Sequence, residues 1–328
     1  MRTGRLVAGC IALVLACAQA DAAPSRDDFA RTVREIQVAF NESRFSDIEA
    51  LHTASARQVT DDGTPMLEAF EYAYDSLFGH APLARLEAGL ASWSSAARGS
   101  SIQAVTEAFL WERRALKAHG AWCQPLDAAG KPLAARFLER AKRALERADP
   151  AATPLWFTAS LRVAGARGDS PQALDRLLAR AASMHPGYPA IYWARGAFFL
   201  PPWSEGPQAF ERFATEHAAR GTGGASIGYA MLYVAVARET CGDFLESTQV
   251  SWRKMRAGLE ELAVRHPSDW NWNLLGTFAC RFRDVDATRT VLARLGRRAR
   301  LDIWSSGQST QSCRVMATDP KPEKDRSA

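Results

Sequence analysis

Apolar residues recur along this chain at spacings of three and four, the period of a helix with one buried face. Phe29, Val33, Ile36 and Phe40 make the first such stripe, and Ser25 ahead of it, with Asp28 three positions on, supplies a helix start. Ser46-Asp47-Ile48-Glu49 reads as a capping box, in which hydroxyl and carboxylate each satisfy a free backbone N–H. Thr64-Pro65 predicts another start, because proline at the first helical position gives up a donor the helix does not use. Gly79 closes that helix. Leu83, Leu86, Leu90 and Trp93 form a further stripe, and Ser101 to His119 another, stopped by Gly120. Alternating strand patterns bounded by turns are nearly absent.

From about residue 131 the pattern becomes repetitive. Predicted helices cover 134–148, 154–167, 170–185, 189–199, 207–220, 225–240, 244–265, 269–282 and 285–298. Pro150, Pro186 and Pro267, which close three of them, lie 36 and 81 residues apart, or one and about two units. Two helices per unit of 34 to 40 residues is the spacing of a helical-hairpin solenoid, in which each hairpin buries its apolar face on its neighbours. The predicted fold is therefore all-α, a right-handed solenoid of stacked antiparallel hairpins.

Leu177-Leu178 with Ala181 and then Pro186 resembles the second half of a tetratricopeptide unit, with Trp156 near the place of that family's aromatic residue. Arg162 stands where a small residue is usual, and the units vary in length. Leu155-Trp156, Leu177-Leu178, Pro186-Gly187-Tyr188 and Phe199-Leu200-Pro201-Pro202-Trp203 followed by Phe210 and Phe213 also resemble an uncharacterised bacterial family of secreted tetratricopeptide-like proteins. Both resemblances imply the fold and no activity.

The first twenty residues change the picture of the compartment. Arg2 and Arg5 precede an apolar run from Leu6 to Ala16, and Ala18-Gln19-Ala20 follows as a small-x-small site: the order of a secretory signal. The run is too short to span a bilayer. Val14-Leu15-Ala16-Cys17 resembles a lipobox, which would make an outer-membrane lipoprotein anchored through Cys17; the ordinary site three residues later favours a soluble periplasmic or secreted protein. The expected organisation is a signal over 1–20, an N-terminal helical region over 21–121, repeats over 122–317 and a polar, disordered tail over 318–328.

Removing the signal lowers the net charge of the 328-residue chain from +5 by two arginines, and nucleic acid is then not an expected partner. Four of the six cysteines remain: Cys123, Cys241, Cys280 and Cys313. An oxidising compartment suits one or two disulfides. Cys241 and Cys280 sit near the ends of corresponding helices in adjacent units, which favours pairing them, with Cys280–Cys313 as the main rival.

No catalytic, cofactor or metal site is visible. GxGxxG after a strand, GxxxxGK[ST] and HExxH are missing, a GxSxG nucleophile elbow has no strand to be built on, and no cysteine pair has zinc-ligand spacing. Gly221-Thr222-Gly223-Gly224 reads as a loop between helices. His119, His185 and His266 fall at helix C-termini, where an imidazolium complements the helix dipole.

The aromatic residues carry the functional signal. Eight of the ten tryptophans lie from residue 122 onward. Trp270 and Trp272 are two apart on one helix and do not share a face; Tyr192 and Trp193 pose the same question. Tyr192, Trp193, Trp203, Trp270 and Trp272, with Arg297 and Arg298 of a basic cluster, are the candidate binding residues. The expected function is an exported, non-enzymatic scaffold that holds a protein or peptide partner on its concave face. The competing expectation is an (α/α)-type lyase or hydrolase acting on glycans, which requires a closed ring of helices where a solenoid has open ends.

Overall fold

The computed structural model describes residues 22–118, 130–200, 205–220, 224–239, 244–300 and 310–318. Among these the chain is all-helical, and its extended pairing is a single bridge between Val59 and Pro65. The helices are α1 (Arg26–Asn41), α2 (Phe45–Ser55), α3 (Glu68–His80), α4 (Leu83–Ala96), α5 (Ser101–Ala118), α6 (Gly130–Leu145), α7 (Leu155–Ala166) and α8 (Pro171–Met184). They continue as α9 (Ala190–Gly196), α10 (Pro207–His217), α11 (Ala225–Glu239), α12 (Phe244–Ser247), α13 (Trp252–Arg265), α14 (Asp269–Arg281), α15 (Val285–Leu295) and α16 (Thr310–Thr318). The signal, Cys17, Trp203, Cys241 and the tail beyond residue 318 lie outside the described residues.

Two kinds of helix alternate over much of the chain. α8 buries a narrow stripe of Leu174, Leu178 and Ala181, whereas α7 buries most of its circumference, Phe157, Leu161 and Val163 included. Each fully buried leucine or phenylalanine contributes about 1.5–3 kcal/mol. α1, α3, α5, α7, α9 and α11 contact one another in succession, and the helices between them pack against this series. Beyond α11 the order is α11 on α13, α13 on α14, α14 on α15 and α15 on α16.

Two of these contacts have visible chemical causes. Arg195 on α9 is buried, bonded to Asp175 of α8 at 3.0 Å and bidentately to Glu205 at 2.8 and 3.0 Å, so its charge is met on both sides. Gly258 on α13 lies against the backbone of α11, where a Cβ would strike the Ser226 carbonyl.

Helix starts divide between those a local motif determines and those packing determines. Ser25 caps α1 as expected, and with Asp28 it forms a capping box; Ser170 caps α8 with Pro171 at its first position. The expected box at Ser46 is not formed: α2 begins at Phe45, whose side chain stacks on Trp93. Thr64-Pro65 does not open a helix either; α3 starts at Glu68, and Thr64-Pro65 belongs to a turn. The single helix expected over 244–265 is two, because the Ser251 backbone N–H donates to the Tyr229 hydroxyl at 3.0 Å while its side chain caps α13.

The expected Cys241–Cys280 pairing is corrected: Cys280 is bonded to Cys313, with Cα atoms 5.6 Å apart. α13 packs against both α11 and α14, and α16 folds back over α15 to bring Cys313 to the end of α14.

Candidate functional site

The turn between α2 and α3 is held by its own polar groups. The Thr60 and Gly63 N–H groups donate to Thr64 O and Thr60 O at 2.8 and 2.9 Å, and Met66 N donates to Gln58 O at 2.9 Å. Asp62 Oδ1 accepts the Thr60 hydroxyl and the Thr64 N–H, the latter at 3.1 Å, in the manner of an Asx turn. Gly63 has φ +87°, a conformation that favours glycine, and the His266 ring lies 3.2 Å from where a Cβ would stand.

This turn meets the far end of the chain. Asn271 Nδ2 donates to Asp62 O at 3.0 Å and to His266 O at 2.9 Å, tying the turn to the junction of α13 and α14. The Arg26 guanidinium lies 3.9 Å from the Trp270 ring centre and 3.6 Å from Asp62 Oδ2. The early and late helices are thus in contact, whereas the sequence predicts an open-ended array.

Between the turn and the later helices is a cavity of ≈ 200 Å³. Tyr192 and Trp193 enter it from α9, His217 from the end of α10, and Ile227, Gly228 and Met231 from one face of α11. Leu262 and Trp270 complete a wall that is mainly apolar. Two buried polar atoms in this lining have no hydrogen-bond partner among the described residues: Asp62 Oδ2 and His217 Nδ1. Leaving such an atom without a hydrogen bond costs about 1–3 kcal/mol, a cost that the Arg26 charge 3.6 Å away offsets at Asp62. Burial and the nearby Arg220 charge hold the His217 pKa below its ordinary value, so the imidazole is neutral near pH 7. Burial also raises Tyr192, which stays protonated.

A second cavity of ≈ 260 Å³ lies along the same segment, lined by Arg57, Gln58, Pro154 and Tyr188 and sharing Val59 and Pro65 with the first. The Tyr188 hydroxyl is buried without a hydrogen bond among the described residues, and its pKa is pushed well up by burial and by the Glu71 and Glu68 charges.

Of the expected binding residues, Tyr192, Trp193 and Trp270 converge on the first cavity. Trp272 does not line it: the Arg294 guanidinium covers its ring at 4.0 Å, and its indole N–H is buried without a hydrogen bond among the described residues. Arg297 and Arg298 are exposed in the 3-10 turn after α15, and Arg298 pairs with Asp269 at 2.6 Å. Asp62, His217 and Met231 do not stand out in the sequence. Asp61-Asp62-Gly63 carries legible turn chemistry, but which later helices the turn touches is not legible there. Among the described residues no group of three or more His, Cys, Asp or Glu is arranged to hold a metal ion, and no helix is long and apolar enough to cross a membrane.

Comparison with known proteins finds no matching family model, no matching curated protein and no matching solved structure.

Proposed function

We infer that this protein is an exported, non-enzymatic helical-repeat scaffold that binds a protein or peptide partner, taking one partner side chain into the cavity between the α2–α3 turn and helices α9, α11 and α14. The observation that carries this reading is the convergence of Tyr192, Trp193 and Trp270 on one mainly apolar cavity. Large aromatic side chains around a pocket are the anchors on which partner affinity concentrates.

The succession α1, α3, α5, α7, α9, α11, with packed helices between, supports a tetratricopeptide-like solenoid over that part of the chain, its inner layer being this series. The Cys280–Cys313 bond supports an oxidising compartment, in line with the secretory order of the first twenty residues. Glycan hydrolysis, which the contact between early and late helices suits, is the weaker reading on its carboxyl groups. It calls for two carboxyl groups across the bond to be cut, and the cavity lining holds one, Asp62, already facing Arg26.

Selection of a random displayed peptide library on the folded protein tests this. Enriched peptides are expected to lose about thirtyfold in affinity, the scale of a hot-spot residue, when Trp193→Ala is introduced, and to be excluded by Met231→Trp, which fills the cavity. Trp272→Ala serves as the control away from the cavity. Peptides indifferent to Trp193→Ala and Met231→Trp would contradict the reading.

A further inference from the structure

We propose that the second cavity is a further binding subsite, and that one extended segment of the partner occupies both cavities, crossing Val59 and Pro65 with neutral apolar side chains at alternate positions; the proposal rests on the anchor reading above. The two cavities follow one another along one stretch of chain. The first, of ≈ 200 Å³, borders residues 59–65, and the second, of ≈ 260 Å³, borders residues 55–59. Val59 and Pro65 stand in the wall of both, so one residue pair separates them. In an extended chain, side chains two positions apart share a face and lie about 7 Å from one another, the scale of such a wall.

The backbone at Val59 suits an extended partner. In the bridge between Val59 and Pro65, the Thr60 N–H donates to Thr64 O at 2.8 Å and the Met66 N–H to Gln58 O at 2.9 Å. These bonds flank Val59, so its own N–H and C=O point away from the turn, as on the outer edge of a strand. Val59 is 43% exposed, and neither group has a hydrogen bond among the described residues. Asp61, two positions on, already donates to Pro24 O at 2.8 Å, so the open edge is at Val59, between the cavities. An added strand draws affinity from such main-chain bonds and specificity from pockets for its alternate side chains.

Charge makes the anchors neutral. At the first cavity Arg26 and Asp62 already face one another. In the second, Arg57 is exposed in the wall and has no ion pair among the described residues, while the Glu71 and Glu68 charges act on Tyr188. A cation entering there meets Arg57, and an anion meets Glu71 and Glu68, a juxtaposition of like charges in either case. A carboxylate that stays in solvent beside the second anchor meets Arg57, so an acidic neighbour is favoured.

Selection of the random displayed peptide library in parallel on the intact protein, Met231→Trp and Ala56→Trp, with sequencing of each pool, tests this. Ala56 is exposed in the wall of the second cavity, so the larger ring fills that space from outside the core. The unaltered protein is expected to enrich two apolar positions separated by one residue, with an acid beside one of them. Ala56→Trp should erase the preference at one position, keep the other, and weaken individual two-anchor peptides about tenfold; Met231→Trp should remove the enrichment. Arg57→Glu should exchange the acid for a base. Where Ala56→Trp melts below the unaltered protein, Gln58→Trp, exposed in the same wall, takes its place. A single apolar position, indifferent to the filled second cavity, would overturn the subsite and leave the anchor cavity standing. Apolar positions three or four apart would overturn the extended occupant in favour of a helical one. No enriched peptide, or peptides indifferent to Met231→Trp, would overturn both the anchor reading and this one.

Discussion

Asn271 donates its side-chain amide to the backbone carbonyl of Asp62 at 3.0 Å, across 209 positions of sequence. One residue of α14 thereby places the turn that walls the cavity, and the same amide also holds the His266 carbonyl at the end of α13. Asn271→Ala takes this donor from the Asp62 carbonyl, while the His266 carbonyl keeps the Ser268 N–H at 2.8 Å, at an expected cost of about 1–3 kcal/mol. Urea unfolding reads that loss. Amide exchange reads its location, with faster exchange at Thr60, Gly63 and Met66 and little change in α7. A loss spread evenly over the helices would show that the contact does not position the turn.

Two glycines give opposite expectations for the same substitution. Gly258→Ala puts a methyl into the Ser226 carbonyl on α11, and overpacking of this kind typically costs about 1–3 kcal/mol. Gly79, in α3, has nothing within 4 Å of a Cβ, so Gly79→Ala is expected to gain up to about 1 kcal/mol from helix propensity alone. Thermal melting of the two variants checks the sign of each.

Local features of the fold are legible in the residues themselves. Ser25 and Ser170 start their helices because the cap is a local motif, and Phe29, Ile36 and Phe40 of the first stripe are buried as their spacing predicts, with Val33 half-buried beside them. What is not legible is tertiary. The α2 start is decided by Phe45 stacking on Trp93, and the break before α13 by a hydroxyl on another helix. Helix correspondence points Cys280 to the wrong partner because it says nothing of the terminal helix returning over α15. Trp193 and Trp270 stand out as a residue type in a pattern. Asp62, in the Asp61-Asp62-Gly63 turn, marks the turn in the sequence but not the helices that pack around it.

Acid should weaken the fold through His52. Burial lowers its pKa from 6.5 to about 4, and its Nε2 lies 2.9 Å from the Thr153 hydroxyl, linking α2 to the start of α7. The unfolded chain binds this proton from about pH 6.5 and the folded chain only near pH 4, so the unfolded state holds more protons between those values. The contribution is whole above pH 6.5 and falls away as pH drops toward 4, by up to about 3 kcal/mol. Denaturant midpoints at pH 7.5 and 5 measure the fall, and His52→Gln is expected to flatten it. An unchanged slope in that variant would assign the acid sensitivity elsewhere.

The Cys280–Cys313 bond holds α16 to the end of α14. Reduction should release that helix while leaving most of the core, because the buried clusters of α3, α5 and α7 lie elsewhere in the chain. Trypsin is then expected to cut after Arg314 in the reduced protein well before any cut in α5 or α7, with the main melting transition lowered by only a few degrees. Collapse of the whole melting transition on reduction would show that α16 supports the global fold.

The most direct measurement is the indole N–H spectrum of the protein during titration with a peptide enriched on it from the displayed library. Trp193 and Trp270, assigned through Trp193→Phe and Trp270→Phe, should shift along one saturating curve, while Trp93 and Trp111, with 0% and 1% of their surfaces exposed, hold still. Saturating shifts confined to other tryptophans, or none at any concentration, would contradict the assignment of this cavity as the anchor site.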